Sequence, residues 1–334
     1  MHYIKMEHLQ PGMILGKSII GDTGSFLLNA GKELTPTILT RMKDMGFQGA
    51  YIDNSIFSDI QVEDIIDTNL NREAFAALAS DNIEKCVSIA RKILRELKYK
   101  EVVNVDLLDI KSDKNYVFKH SISVAVFSLV IGIGLQLNEE QLENLAIAGL
   151  LHDIGKLHID EDVLYSRNKF SSMDMEEMKK HPIIAFELLK DQPLVSSVSR
   201  NAILFHHENL NGTGYYEAWG DRIGIFPRIL RVADVYDSMT TLKKYRDANS
   251  PAETIEYIMA NTGTLFDSDV VEVFSKKFPL YPVGFTLLLS NKTLAVVTSN
   301  RNNPLRPQVR LFNGKDIDLS SDPNYRNVTI AGMI

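Results

Sequence analysis

The sequence predicts a mainly α-helical fold, in which a helical bundle lies between a small N-terminal α+β domain and a short C-terminal β unit. Residues 1 to about 58 alternate short apolar runs with turns, which is typical of short strands. Most of the chain from there to residue 278 carries apolar residues at helical spacing, and a period of two returns from Pro279 onward. We therefore expect four segments with bounds 1–58, 59–100, 101–278 and 279–334.

The first segment, 1–58, reads as a small module without recognisable chemistry of its own. The turn residues Asp22, Thr23 and Gly24 separate two apolar runs and predict a β-hairpin. The following stretch "PTILTRMKDMGF" has helical spacing. We expect this module to be regulatory or dimerising.

The second segment, 59–100, is predicted to be a helical linker with one apolar face. That face is formed by Ile89, Ala90, Ile93, Leu94 and Leu97, with lysine and arginine side chains opposite. An apolar face of this width has to be covered. It could pack on the next segment or on a second subunit, so a homodimer through the linker or the N-terminal domain is one possible partner arrangement.

The third segment, 101–278, carries several helix-start signals. "NEEQ" from Asn138 and "SSMD" from Ser171 are capping boxes. Pro182 suits the first position of a further helix, which would place His181 at a solvent-facing helix mouth. The apolar run from Ser121 to Leu137 is 17 residues long and is interrupted by glycine and polar residues. We interpret it as a buried core helix and expect no membrane span.

Composition narrows the classes of partner and the compartment. The net charge of −7 argues against a surface built for DNA or for an anionic membrane, because both need clustered lysine and arginine. A single cysteine, Cys86, excludes an internal disulfide framework and fits a reducing environment. The N-terminal stretch has no apolar signal core. We expect a cytoplasmic protein.

Histidine is concentrated in the helical segment. Six of the eight histidines lie between positions 120 and 207. A single histidine is more often an ordinary core or surface residue than a ligand, but the joint occurrence of these residues with two aspartates favours a metal centre. The candidate ligands are His120, His152, Asp153, His181, His206, His207 and Asp234.

Five imidazoles and two carboxylates are about right for two divalent ions that share a bridging carboxylate. Nitrogen and oxygen ligands without thiolate favour Fe or Mn, with Zn or Ni as alternatives. Cationic side chains accompany the set. Lys156 lies three residues after Asp153 and is a candidate phosphate contact, as are Lys243 and Arg246, although each could equally be a solvated surface group.

Taken together, the motifs "HDIGK", "HHE", "NGTGYY" and "RVADVYDSMT" resemble the HD-GYP family, a branch of the HD-domain metal-dependent phosphohydrolases. The resemblance covers residues 101–278. It implies hydrolysis of cyclic di-GMP to linear pGpG and/or GMP by a hydroxide that bridges the metal ions. It also implies that Asp153 bridges the ions and that Lys156 contacts the scissile phosphate.

Further substrate contacts implied by the resemblance are Lys243, Arg246, Gly214 and Tyr215. Lys243 replaces a more usual arginine, and the next residue, Lys244, replaces a proline. The three-metal branch of the family has a glutamate where this sequence has Tyr116, so two metals are expected.

Asn211 and Tyr216 replace the aspartate and the proline of the signature loop, which leaves the predicted metal ligands untouched. The loop is where we expect substrate selectivity and any docking of a signalling-protein partner to differ from the family. Two alternatives to a cyclic di-GMP phosphodiesterase stay open. One is a catalytically weak or inactive cyclic dinucleotide receptor, and the other is an HD phosphohydrolase that acts on another nucleotide.

Overall fold

The computed structural model describes residues 1–21, 26–47, 49–62, 65–98, 116–164, 171–216, 222–241, 249–300, 303 and 305–334. Within these ranges the chain forms a helical bundle, small N-terminal strands and a C-terminal antiparallel sheet. The predicted mainly α-helical fold is thereby confirmed.

The N-terminal part contains two small antiparallel strand pairs and one helix. Strands β1 (His2–Lys5) and β4 (Gly49–Ile52) pair, as do β2 (Ile19–Ile20) and β3 (Phe26–Leu28). The antiparallel pairing of β2 with β3 agrees with the predicted hairpin, although the turn residues 22–24 lie outside the described residues. Helix α1 (Pro36–Asp44) is capped by Thr35, whose hydroxyl accepts a hydrogen bond from the Ile38 amide.

The helical bundle is formed by the helices that follow α1. Their bounds are α2 (Thr68–Ala79), α3 (Ile83–Leu97), α4 (Tyr116–Gly134), α5 (Glu139–Leu151), α6 (Glu161–Leu164), α7 (Ser172–Met178), α8 (His181–Leu189), α9 (Ser197–Leu204), α10 (Ile225–Thr240), α11 (Pro251–Ala260) and α12 (Ser268–Lys277). Both predicted capping boxes are present, at Asn138 before α5 and at Ser171 before α7.

The C-terminal part is an antiparallel sheet of five strands. They are β5 (Thr286–Leu289), β6 (Leu294–Ser299), β7 (Gln308–Leu311), β8 (Asp316–Asp318) and β9 (Ile330–Met333), in the spatial order β8-β7-β6-β5-β9. The turn between β5 and β6 contains Lys292, which has a positive φ of 66°. The sheet agrees with the period of two that the sequence shows from Pro279 onward, and its two edge strands are short or interrupted by glycine.

The N-terminal strands and the C-terminal sheet share a core. The Tyr3 amide donates to the Gly284 carbonyl at 2.7 Å, and the Tyr3 ring stacks on Phe285 with centroids 4.6 Å apart. Phe57 and Val296 belong to the same buried cluster. The N-terminal strands and the C-terminal sheet therefore pack on each other, although the helical bundle lies between them in sequence.

The apolar face of α3 is covered by the chain itself. All five residues of the predicted face are buried, and α3 packs against α2, α4 and α5 within the main core. Of the two arrangements predicted for this face, the structure shows packing on the bundle. A homodimer through residues 59–100 or through the N-terminal domain remains a prediction.

Helix α4 is the central helix of the bundle. It is the one described helix that is long and apolar enough to cross a membrane, but 78% of its most apolar window is buried inside the protein. It packs against α5 and α10 and also contacts α2, α3 and α12. This environment agrees with the predicted buried core helix.

Two glycines allow helices to approach closely around the end of α5. A Cβ atom at Gly149 would lie 2.7 Å from the Ala125 Cα of α4. A Cβ atom at Gly155 would lie 2.0 Å from the His181 carbonyl oxygen and 2.8 Å from the Ala185 amide nitrogen of α8. Because the opposing atoms are backbone, they cannot move aside as a side-chain tip could. These contacts bring the beginning of α8 against the residues that follow α5.

Replacing Gly155 with alanine should therefore separate α8 from the end of α5. We expect Gly155→Ala to lower the free energy of unfolding by about 3 kcal/mol, since overpacking against backbone is poorly relieved. Gly332→Ala is the matched control, because a Cβ there meets no atom within 4 Å, and it should change stability by less than about 0.5 kcal/mol. Urea unfolding of both variants tests the contact, and equal stabilities would contradict it.

Candidate metal centre

Three histidines occupy the same local setting at helix ends. His152 follows α5 and its Nδ1 lies 2.8 Å from the Gly149 carbonyl oxygen. The Nδ1 atoms of His181 and His206 lie 2.7 and 2.6 Å from the carbonyl oxygens of Met178 and Ile203. Carbonyls in the last turn of a helix lack an intrahelical partner. Each therefore accepts from Nδ1–H, which leaves Nε2 as the free acceptor of the imidazole.

His120, on helix α4, also lies beside these histidines, with its Nε2 3.3 Å from the His152 Nε2. It lies in the first two turns of α4, and its Nδ1 is 2.6 Å from the Asp237 Oδ2 of α10. The Tyr116 ring stacks on it at 5.2 Å with an interplanar angle of 10°. His120 therefore also directs Nε2 towards the centre, with a carboxylate in place of a backbone carbonyl behind it.

Asp153 lies between two groups of imidazoles. Its Oδ2 is 3.5 Å from the His120 Nε2 and 3.4 Å from the His152 Nε2. Its Oδ1 is 3.2 Å from the His181 Nε2 and 3.8 Å from the His206 Nε2. Asp153 is fully buried, so the two carboxylate oxygens face different histidine pairs inside the protein.

Asp234 and His207 complete the arrangement. The Asp234 Oδ1 lies 3.1 Å from the His120 Nε2, and its Oδ2 lies 3.5 Å from the His207 Nδ1. Two groups of potential ligand atoms result, each within 4.8 Å of one another. We call Asp153, His181, His206 and His207 the four-residue cluster, and His120, His152 and Asp234 the three-residue cluster.

Burial keeps most of these side chains in the form that binds a metal. Desolvation lowers the pKa of His181, and it lowers the pKa values of His206 and His207 well below the usual value, so these imidazoles are neutral. Burial alone would raise the pKa of Asp153, but attraction to His152 and Lys156 outweighs it and lowers that pKa well below the usual range. Neutral imidazole and ionised carboxylate are the ligand forms that a metal requires.

His120 differs from the other histidines in its electrostatics. Burial alone would lower its pKa, but hydrogen bonds to Asp234 and Asp237 outweigh burial and raise the pKa above its usual value. A proton and a metal ion compete for the same imidazole nitrogen. The carboxylates that favour a proton on His120 would equally favour a cation at its Nε2.

The donor set fits divalent metal ions. The Nε2 atoms of His181 and His206 face each other at 3.3 Å, yet both rings have a hydrogen-bond acceptor opposite Nδ1. Two unprotonated Nε2 atoms repel each other at that distance unless a cation lies beside them. In addition, the buried Asp153 Oδ1 and His207 Nε2 have no hydrogen-bond partner in the described part of the chain.

The structure brings all seven predicted ligand residues together and places Lys156 beside them. The Lys156 Nζ lies 2.5 Å from the Asp153 Oδ2, although Lys156 lies in a 3-10 turn, Ile154–His158, and not on a continuing helix. The interpretation of His181 as solvent-facing was wrong, because α8 docks on that turn and buries it. Lys243 and Arg246 lie outside the described residues.

The signature loop lies at the edge of the four-residue cluster. The Tyr215 ring stacks on His207 with centroids 4.3 Å apart, and burial raises the pKa of the Tyr215 hydroxyl. Gly214 lies against Glu208, since a Cβ atom there would be 2.6 Å from the Glu208 Cα. Gly212 has a positive φ of 76°, which favours glycine. Both predicted loop contacts, Gly214 and Tyr215, are therefore close to the centre.

Sequence reasoning missed three residues that contact the site. Asp237 supports His120, Glu208 is buried next to His207, and the Arg231 Nη1 lies 3.8 Å from the Asp234 Oδ2. Asp237 and Arg231 each lie three residues from Asp234, hence on the same face of α10. That spacing was the available signal. The partner of Asp237, His120, is 117 residues away in sequence and is not visible without the fold.

Comparison with known proteins agrees with this geometry. Residues 102–270 match the HD domain family, and this match spans half of the chain. The chain therefore belongs to the HD-domain family, which confirms the resemblance drawn from its motifs.

The chain is similar to cyclic dinucleotide phosphodiesterases. It is 30% identical over 260 residues to a cyclic di-GMP phosphodiesterase of Pseudomonas aeruginosa, covering 77% of this chain and 59% of that protein. It is 28% identical over 223 residues to a cyclic di-GMP phosphodiesterase of Borreliella burgdorferi, covering 65% and 58%. It is 30% identical over 183 residues to a 3'3'-cGAMP-specific phosphodiesterase of Vibrio cholerae, covering 54% and 39%. The chain thus spans less than two thirds of the length of these relatives.

The position of Asp153 makes a direct prediction about metal content. Asp153→Asn keeps the shape of the side chain but removes the charge that faces both clusters. We expect the metal content to fall from about two ions per chain to fewer than one. Plasma emission spectrometry of protein purified without oxygen measures this. Asp191→Asn, at an exposed position, is the control and should retain both ions. Full metal content in Asp153→Asn would contradict the bridging position.

Proposed function

We propose that the chain is a phosphodiesterase that hydrolyses cyclic di-GMP with two divalent ions held at this centre. The observation that carries the proposal is the buried Asp153 carboxylate, whose two oxygens face different imidazole pairs. Membership of the HD-domain family and the similarity to cyclic di-GMP phosphodiesterases support it. The products are linear pGpG and/or GMP, and the protein acts in the cytoplasm.

Each cluster would hold one ion. His120, His152 and Asp234 would bind one, and His181, His206 and His207 the other, with one oxygen of Asp153 turned to each. The mixed imidazole and carboxylate donors suit Fe or Mn, with Zn or Ni as alternatives. Two ions held there would supply a hydroxide near neutral pH and would offset the charge that develops on the phosphoryl group. Tyr116 is not a carboxylate, which supports two ions and not three.

The protein groups around the ions have distinct tasks. Asp237 and the three helix-end carbonyls fix the orientation of the imidazoles, so that no rotation is needed when substrate binds. The Lys156 side chain is 15% exposed, and its ammonium group lies 2.5 Å from the Asp153 Oδ2. It can donate to a phosphoryl oxygen and stabilise negative charge there.

The proposed substrate contacts outside the metal centre are Tyr215, Gly214, Lys243 and Arg246. Tyr215 and Gly214 lie in the loop beside His207, where they could line the entrance for the nucleotide. Lys243 and Arg246 remain predicted contacts of the second phosphate or of the guanine. A signalling-protein partner docking on the glycine loop likewise remains a prediction.

A second candidate substrate is 3'3'-cGAMP. The relative from Vibrio cholerae acts specifically on it and is as identical to this chain as the relative from Pseudomonas aeruginosa, at 30%. The two substrates differ in one base and share the phosphodiester linkages on which the metal centre would act. Base selectivity must therefore come from residues outside the two clusters. A non-catalytic receptor is the remaining alternative, motivated by Asn211 and Tyr216 in the loop.

A substrate panel separates these functions. Protein loaded without oxygen with Fe(II) or Mn(II) should hydrolyse cyclic di-GMP with kcat/KM at least about tenfold above that for 3'3'-cGAMP. Product chromatography distinguishes pGpG from GMP. The reverse preference would assign the second substrate. Nucleotide binding without turnover, by protein that carries two ions, would contradict the enzyme and support the receptor.

Lys156 should affect turnover and not metal binding. We expect Lys156→Gln to lower kcat by about 100-fold, because a positive charge near the phosphoryl group is lost. The metal content should stay at the wild-type value. Lys190→Gln is the matched control, since Lys190 is an exposed residue that pairs only with Glu187 among the described ion pairs. Unchanged kcat in Lys156→Gln would remove this residue from the proposed mechanism.

A further inference from the structure

Tyr216 makes two hydrogen bonds that a proline at this position could not make. Its backbone amide donates to the Glu208 Oε1 at 2.8 Å, and its hydroxyl donates to the Lys179 carbonyl oxygen at 2.8 Å. Proline has neither an amide hydrogen nor a hydroxyl. These contacts thus depend on the residue by which this loop departs from the family signature.

The two bonds end next to two members of the four-residue cluster. Glu208 directly follows His207 and is 1% exposed. Lys179 directly follows α7, and His181 begins α8 two residues later. Tyr216 therefore links the chain on either side of the cluster, where α7 meets α8 and where α9 gives way to the loop.

The rest of the loop is ordered by its own hydrogen bonds. The Asn211 Oδ1 accepts from the Thr213 amide at 3.1 Å and from the Thr213 hydroxyl at 2.7 Å. The Asn209 Nδ2 donates to the Thr213 hydroxyl, and the Arg231 Nε donates to the Asn209 Oδ1. Within the described part of the chain, the Asn211 side chain acts as an acceptor, a role that an aspartate would also fill. The substitution at 211 therefore preserves the turn, and the substitution at 216 is the one that changes its attachment.

We infer that Tyr216 is a positioning residue that holds His181 and His207 in place and so strengthens ion binding at the four-residue cluster selectively. The three-residue cluster is carried by α4, α10 and the end of α5, to which Tyr216 makes no hydrogen bond in the described part of the chain. This inference rests on the metal centre of the proposed function, but it does not depend on which nucleotide is hydrolysed.

Calorimetric titration with Mn(II) tests the inference. Wild-type apoprotein should bind two ions. Tyr216→Phe removes only the bond to the Lys179 carbonyl, and it should weaken one of the two ions by about tenfold while the other keeps its wild-type dissociation constant. Tyr257→Phe is the control, because Tyr257 is an exposed residue of α11, which contributes no residue to either cluster. This variant should leave both dissociation constants unchanged.

Introducing Tyr216→Phe into a second variant identifies which ion is bound more weakly. His120→Ala removes an imidazole that belongs to the three-residue cluster and lies on α4, so the remaining tight ion should report on the four-residue cluster. Tyr216→Phe in this background should weaken that ion by the same factor of about ten. Tyr216→Pro, which also removes the bond to Glu208, should weaken it further than Tyr216→Phe does.

Two results overturn the inference. One is unchanged dissociation constants for both ions in Tyr216→Phe, and the other is equal weakening of both, which indicates a general structural role. If Tyr216→Pro does not fold, the phenylalanine variant alone decides. Failure of the proposed function is distinguishable, because wild-type protein would then bind two Mn(II) ions without hydrolysing any cyclic dinucleotide. Wild-type protein that binds fewer than two ions overturns both.

Discussion

The arrangement depends on one buried carboxylate that faces two groups of imidazoles. Asp153 has no exposed surface, and each of its oxygens lies 3.2 to 3.8 Å from a different pair of histidine nitrogens. A carboxylate is expensive to bury unless positive charge compensates it. The close approach of α8 at Gly155 and of α4 at Gly149 makes this burial possible. The burial of the Asp153 carboxylate therefore depends on the same close contacts that pack the bundle.

The helix ends orient three of the imidazoles at the centre. Three of the histidines use carbonyl oxygens in the last turn of a preceding helix as the partner of Nδ1, three residues earlier in the chain in every case. Such carbonyls would otherwise need water or a cap. A single local arrangement, repeated at α5, α7 and α9, thus satisfies the backbone and fixes the tautomer of the ring. The loop that carries Tyr215 and Tyr216 then covers the edge where His207 is partly exposed.

Local patterns predicted the helices, the capping boxes and the candidate ligands, because each depends on residues close in sequence. The histidine and aspartate motifs predicted which residues lie at the site, and the roles of the individual ligands remain predictions. Contacts between distant segments could not be read in this way. His120 and Asp237 are 117 residues apart, and the packing of Tyr3 on Phe285 joins the two ends of the chain. The burial of His181 depends on the docking of α8, which the proline at its start did not reveal.

We propose that Asp153 bridges two ions. Anomalous diffraction from crystals of the Mn(II)-loaded protein, recorded on both sides of the manganese absorption edge, tests it most directly. We expect two anomalous peaks on opposite sides of Asp153, one beside His120 and His152 and one beside His181 and His206, each about 2.0 to 2.3 Å from one carboxylate oxygen. A single peak, or two peaks of which only one lies within bonding distance of Asp153, would contradict it.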